Sequence, residues 1–372
     1  MNNRDEQVYS IALTLLPGIG RIGAKQLVEG MGTATDVFRL RRELPDRLPE
    51  AGKRLVQLLD NPQAIARADR ELTSMEEKQV RCITWASRDY PHRLRECPDA
   101  PVALFYRGSV DLNSSRIISM VGTRQATDYG RTLCREFLHG LSQLCPDVLV
   151  VSGLAYGIDV CAHREAMAHG LSTVGVLAHG LDRIYPSNHR SVAVQMMERG
   201  GLLTEYVFGA EPERYNFVGR NRIVAGMADA TIVVESGKKG GSLITADLAN
   251  GYHRECFAFP GRVTDVSSEG CNCLLRDNKA APLLSAEDFV AAMGWGAADK
   301  KKAAQVRQQT LFPELSPEEQ RVLGFLQHEE NRQLDALVLA SQMPVARLHA
   351  ILFELEMKGA VRTAAGGLYI PI

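Results

Sequence analysis

The stretch Ile117-Ile118-Ser119-Met120-Val121-Gly122-Thr123-Arg124 constrains the chain more than any other. Four of its first five residues are apolar, and the run has no polar face. That pattern suits a strand buried on both sides in a parallel sheet. Gly122 then lets the backbone turn sharply, or approach a ligand without a Cβ in the way. Thr127 and Asp128 can cap a following helix, whose apolar stripe is expected along Tyr129, Leu133, Phe137, Leu141 and Leu144. Arg124 therefore falls where a strand hands over to a helix, close to unpaired backbone N–H groups that favour anions. This is a phosphate-binding turn in outline, and related glycine turns recur downstream.

Val148–Ser152 is a second buried strand, turning at Gly153–Asp159 into a helix. Thr173–Ala178 follows, with the loop His179–Arg190, and then strands Leu202–Glu205 and Thr231–Glu235. Gly237–Ser242 leads into a helix over Leu243–Tyr252, and Cys256–Arg262 closes the series. Val102–Gly108, with Pro101 at its start, is expected to be an edge strand before the main sheet. Strands alternating with helices predict a doubly wound, mostly parallel α/β sheet. In such sheets the loops after the strands gather along one edge, where ligands bind. Four loops thus converge: Gly122–Arg124, Gly153–Asp159, His179–Arg190 and Gly237–Ser242. Arg220 and Arg222 lie in a connection that can reach the same edge. With Arg124 and Arg190 they make a cationic site suited to more than one phosphate, one or two of them being expected to face solvent.

Other chemistries lose support. No G-x-x-x-x-G-K-[ST] occurs, and no G-x-G-x-x-G follows the opening strand, which argues against ATP hydrolysis and nicotinamide binding. Eight scattered cysteines give no disulfide framework, and the lone Cys271-x-Cys273 is poor evidence for metal. No catalytic residue, metal or cofactor is expected. Asp159 and His163, four apart on one helical face, could form an acid/base pair. The favoured reading has Asp159 capping the helix or tying the glycine loop together, and His163 hydrogen-bonding nearby. Glu205 and Glu235 end strands at the ligand edge, as catalytic carboxylates or as partners that orient Arg220 and Arg222. The formal net charge is −1, so any polyanion site must be built from local clusters. No apolar run is long enough to span a bilayer, and the expected compartment is the cytosol.

Residues 1–78 are expected to form a small helical domain. Within it Gly18-Ile19-Gly20-Arg21, followed by Lys25, resembles a helix–hairpin–helix motif of the sterile-alpha-motif-like kind. Gly18, Gly20, Arg21 and Lys25 are candidates for a secondary DNA contact, or else part of a packing turn. Residues 79–296 form the α/β domain and 297–315 a polar linker. Residues 316–372 are similar to a winged-helix domain, with helices over Pro317–His328, Gln333–Ala340 and Val345–Lys358. A hairpin then turns at Gly366-Gly367. Val345–Lys358 offers only Arg347, His349 and Lys358 against Glu354 and Glu356, so protein contact and weak DNA binding both stay open.

The central domain resembles the DNA-processing protein A family (DprA/Smf). Val121–Arg124, Ser152–Asp159 with His163, Gly180-Leu181-Asp182 with Tyr185-Pro186, Arg220–Ile223 and Gly241–Ala246 carry the likeness. Pro260-Gly261 and Gly270-Cys271-Asn272 continue it. The resemblance implies an extended Rossmann-like domain that binds single-stranded DNA and delivers it to the RecA recombinase during natural transformation, as a homodimer. By position, Arg124 and Arg190 would grip phosphates, Arg190 standing where the family often has lysine. Gly240-Gly241-Ser242 replaces the Ser-Gly-Ser of many relatives. The expected phosphate-contacting set is Gly122, Thr123, Arg124, Ser152, Gly153, Gly157, Arg190, Arg220, Asn221, Arg222, Gly241, Ser242 and Thr245. Asp159, His163, Glu205 and Glu235 would organise the pocket. Tyr156, Tyr185 and Phe217 are candidate stacking surfaces, with core packing the equal alternative for each. The same sheet architecture also resembles lysine-decarboxylase-like phosphoribohydrolases, a rival that would use Glu235 or Glu205 on a nucleotide. Their P-G-G-x-G-T loop is absent here.

Overall fold

The computed structural model describes residues 3–47, 53–296, 315–328, 337–338, 341–358, 360–364 and 368–371. The chain divides into two compact units, Met1–Ala292 and Met293–Ile372.

The first unit opens with helices α1 (Asn3–Leu15), α2 (Arg21–Met31), α3 (Ala34–Arg39), α4 (Leu44–Arg47), α5 (Lys53–Leu59) and α6 (Pro62–Glu77). Local chemistry sets their ends. Thr33 caps α3 by accepting from the Asp36 N–H, and Asn61 caps α6 ahead of Pro62. Glu6, buried on α1, accepts from the Ala34 and Thr35 N–H groups at 2.9 Å each, tying two helices together. Ile11, Leu13, Val37, Leu72 and Met75 form a core that continues into Val102, Ala103 and Phe105. The helical front therefore shares its core with the sheet.

The sheet has nine strands: β1 (Arg81–Thr84), β2 (Ala103–Gly108), β3 (Ile117–Val121), β4 (Leu149–Ser152), β5 (Ser172–Val176), β6 (Gly201–Thr204), β7 (Ala230–Val233), β8 (Glu255–Ala258) and β9 (Ala281–Pro282). Their order is β1-β2-β6-β5-β4-β3-β7-β8-β9, parallel from β6 through β9. Every residue of β3 is buried, as a mostly apolar strand at the sheet centre requires, and its one polar side chain, Ser119, hydrogen-bonds Thr231 Oγ1 at 2.8 Å. The chain runs outward from β3 to β6, then returns to place β7 on the other side of β3. The reversal makes β3/β7 the switch point, where a crevice opens beyond the strand ends.

Two expectations need correction. Val102–Gly108 is not an edge: β2 runs antiparallel between β1 and β6, and β1 takes the edge. Pro101 lies outside the paired residues, so its missing N–H costs the ladder nothing. Helix α8 (Asp128–Leu144) buries Gly130, Cys134, Phe137, Leu138 and Leu141, while Tyr129 and Leu144 are exposed. Its face is rotated because Gly130 packs directly against the Glu235 side chain, where a Cβ would collide. The sheet is also covered by helices α9 (Ile158–Ala168), α10 (Arg190–Arg199), α11 (Arg214–Gly226), α12 (Gly241–Gly251), α13 (Glu269–Arg276) and α14 (Ala286–Ala292), with α7 (His92–Arg95) after β1.

The second unit contains a helix over Pro317–His328, a helix over Val345–Met357 and the antiparallel pair β10 (Val361–Ala364) and β11 (Leu368–Pro371). Ser316 and Glu319 form a reciprocal capping box: the Glu319 N–H donates to Ser316 Oγ, and the Ser316 N–H to Glu319 Oε2. Leu326, Leu348, Leu352 and Leu355 fill its core. Most of the expected helix Gln333–Ala340, the Gly366-Gly367 turn and all but the last residue of the 297–315 linker lie outside the described residues. Among the described residues no helix is long and apolar enough to cross a membrane.

Candidate nucleic-acid interface

The turn after β3 is held from below. The Thr123 N–H donates to the Glu235 carbonyl at 2.7 Å, and the Ile158 N–H donates to the Thr123 carbonyl at 3.1 Å. Gly157, at φ 76°, lies against the Thr123–Arg124 backbone, where any Cβ would clash. The carboxylate of Glu235, 2% exposed, accepts from the Thr127 N–H at 2.9 Å and from Thr127 Oγ1 at 2.6 Å. It thus fixes the entrance to α8 and leaves the Arg124 side chain projecting outward.

Beyond this turn lies a cleft of about 560 Å³. Gly122, Thr123 and Arg124 line one wall, Asp159 and Arg220 lie at its base, and Gly240–Ser242 with Thr245 line another. Helix α12 starts here with Gly240 as N-cap and no side-chain cap, so its first N–H groups suit an anion. Arg214, Phe217, Val218 and Asn221, one face of α11, complete the lining with Lys239. Arg214 and Lys239 are missing from the expected set. The i, i+3, i+4, i+7 spacing of the α11 face, and the position of Lys239 beside the glycine loop, were the signals for them.

The guanidinium of Arg124 lies over the Phe217 ring, 5.2 Å from its centroid. Phe217 in turn meets the half-exposed Tyr185 at 5.8 Å, and Tyr156 packs edge-on against His189 at 5.0 Å. Tyr185 and His189 belong to the loop that ends at exposed Arg190. Phe217 thus links the cleft to Tyr185, in the loop that precedes a second cation, although Arg190 itself does not line the cleft.

Several expected phosphate contacts are instead internal. Ser152 is fully buried and donates its hydroxyl to the Met120 carbonyl at 2.6 Å. Gly153 makes room for Arg220 and Asp159, both of which a Cβ would strike. Arg220, 3% exposed, donates to the Gly153 carbonyl at 2.6 Å and to the Val176 carbonyl. Arg222, 4% exposed, faces away from the cleft into Glu205, with Asp99 3.9 Å away. Ser242 is buried and bonds Ser236 Oγ at 2.8 Å. Asn221 does line the cleft and reaches the Gly241 carbonyl at 3.5 Å.

The pocket-organising residues divide likewise. Burial raises the Asp159 pKa, opposed chiefly by Arg220, and the Ala155 N–H donates to its carboxylate at 3.4 Å. His163 does not meet Asp159. Its Nδ1 is 2.7 Å from Thr173 Oγ1, and burial pushes its pKa down to about 3, so it is neutral. Glu205 pairs with Arg222, as the charge-pairing reading expects. Glu235 pairs with neither arginine but holds Thr127, which corrects that half of the expectation. Both carboxylates are committed to internal partners, which leaves the nucleotide-hydrolase chemistry without a free acid or base from this pair. No group of three or more His, Cys, Asp or Glu among the described residues could hold a metal ion.

The glycine hairpin at residues 18–20 lies at the surface, with Gly18 and Gly20 exposed and Ile19 half-buried against the helical core. Arg21 donates to Tyr206 Oη at 2.9 Å and lies 3.3 Å from Glu205, while Lys25 is buried and pairs with Glu29. Lys25 is thus withdrawn from the expected secondary DNA contact, whereas Arg21 stays 39% exposed while its contacts with Tyr206 and Glu205 dock the helical front on the sheet.

A family model described as DNA recombination-mediator protein A matches residues 81–294, and one described as the DprA winged helix domain matches residues 307–367. The chain is 33% identical to the putative DNA processing protein DprA of Mycobacterium tuberculosis, over 91% of this chain and 88% of that protein. The X-ray structure of DprA from Streptococcus pneumoniae superposes with a TM-score of 0.64 at 30% identity, covering 76% of this chain and 97% of that one. DNA processing protein A from Helicobacter pylori, a structure that concerns its single-stranded DNA binding mode, gives 0.52 at 27% identity, covering 58% and 95%.

Proposed function

The chain belongs to the DNA recombination-mediator protein A family, the DprA/Smf proteins, and from that premise we propose that it binds single-stranded DNA in the cleft beside β3 and delivers it to RecA recombinase during natural transformation. The observation that carries the reading is Arg124 stacked on Phe217 at the mouth of a cleft lined by the uncapped start of α12. A single strand offers phosphates to cations and helix N-termini, and unpaired bases to aromatic faces. The cleft and the Phe217–Tyr185 pair supply both kinds of contact within one surface.

In this reading Gly122, Thr123, Gly157 and Gly241 shape the backbone that meets phosphate. Arg124 and Asn221 contact the strand in the cleft, whose wall Thr245 backs, and Arg190 contacts it beyond Tyr185. Asp159 and Arg220 hold the base of the cleft. The protein acts in the cytoplasm as a homodimer, without catalysis of its own. Binding of the full chain to labelled single-stranded and duplex oligonucleotides, side by side at one salt concentration, tests the DNA half. Tighter single-strand binding is expected, and equal affinity contradicts it. RecA filament growth on the same strands, with and without the protein, tests delivery: acceleration is expected, and no effect contradicts it.

A further inference from the structure

In the second unit, the helix Val345–Met357 buries Leu348, Ile351, Leu352 and Leu355 in its own core. The opposite face should be polar if it met only water. It is not. Val345 is 52% exposed, Phe353 59% and Met357 75%, with exposed Ala346 and Ala350 beside them. This is the helix before the hairpin, the one a winged-helix domain inserts into a DNA groove, where polar side chains near its start read base edges. Here the start is Val345-Ala346, and the following Arg347 already donates to Glu318 at 2.6 Å. The face suits protein rather than nucleic acid.

Ala346, Ala350, Phe353 and Met357 follow the d-a-d-a order of a coiled-coil seam. We infer that this seam docks antiparallel on the same seam of a second copy of the chain. In that register Phe353 lies opposite Ala350, and Met357 opposite Ala346, so each large side chain meets a small one. The flanks agree: in this register Arg347, which also donates to Glu318 of its own chain, comes opposite Glu354 of the second copy, and His349 opposite Glu356, base against acid on both sides. Parallel pairing stacks Phe353 on Phe353 and alanine on alanine, which leaves gaps. The surface is therefore self-complementary, as a two-fold contact must be. One helix pair of this length buries less than the roughly 800 Å² per partner of a standard interface. The contact is accordingly weak alone and strengthens where two copies are already held close. It adds a second surface to the homodimer proposed above and rests on none of the residues assigned to the DNA cleft, so the two readings fail separately.

The test uses the full chain without DNA, carrying Ala346→Cys or Met357→Cys, under mild oxidation; the eight native cysteines give a background common to every sample. The mixture is expected to form cross-linked dimer about tenfold faster than either protein alone, because the seam holds those two positions at high effective concentration. Phe353→Glu in both proteins is expected to abolish the gain. Arg347→Glu in both is expected to slow it, and Glu354→Arg in addition to restore it. Equal rates in mixed and unmixed samples, or a gain indifferent to Phe353→Glu, would overturn the inference.

Discussion

The guanidinium of Arg124 rests over the ring of Phe217, 5.2 Å from its centroid, and forms no ion pair among the described residues. The arrangement offers a strand two things at one point: a cation for phosphate and an aromatic face for a base. Each can be removed separately. Phe217→Ala is expected to weaken single-strand binding by about 1–3 kcal/mol, the worth of one stacked base, with little change in salt dependence. An unchanged affinity, measured by fluorescence anisotropy, would assign the ring to packing alone.

Glu235 is expected to act as the brace of the turn. Glu235→Ala leaves the Thr127 N–H and hydroxyl without their acceptor in a buried setting, a loss of about 1–3 kcal/mol. Urea unfolding of the variant should show a lower midpoint with an unchanged slope. A midpoint equal to that of the parent would show that the brace contributes nothing.

The hairpin should be indifferent to DNA. Arg21→Ala and Lys25→Ala are expected to leave single-strand affinity unchanged. Arg21→Ala, which breaks a partly exposed pair with Glu205, is expected to reduce stability by no more than about 1 kcal/mol. Loss of affinity in either variant contradicts the commitment of Arg21 to Tyr206 and Glu205 and of Lys25 to Glu29.

Stability should fall in acid through His163. Burial, aided by the positive charge of Arg220, lowers its pKa from 6.5 to about 3, so the folded state holds the ring neutral while the unfolded chain binds a proton. The stabilisation from this group is complete above pH 6.5 and is lost as pH falls from there toward about 3. His163→Gln keeps a hydrogen-bonding group near Thr173 and removes the titration. Its urea midpoint should depend less on pH across that window; an identical dependence would place the acid sensitivity elsewhere.

The sequence displayed the scaffold better than the site. A strand with four apolar residues in five, followed by glycine and a cap, has few other places to go, so β3, its turn and the sheet around it were legible. Pro101 misled because its position before a strand does not tell whether the ladder has already begun. The arginines were harder. Arg124, Arg220 and Arg222 look alike in sequence, yet one projects from a turn, one reaches under the cleft and one faces Glu205. Which way a helix turns its faces is decided by packing, and α11 presents Arg214, Phe217, Val218 and Asn221 to the cleft instead. Glu235 was misassigned for a related reason: its partner Thr127 lies 108 residues away in sequence.

The most direct test of the central claim is the salt dependence of single-strand binding by the parent chain, Arg124→Ala and Arg190→Ala. Each phosphate neutralised on a single strand contributes about 0.7 to the slope of log K against log salt. The account predicts weaker binding and a slope shallower by about that amount in each variant. Parent-like affinity and slope in both variants would contradict it and move the DNA away from the β3 cleft.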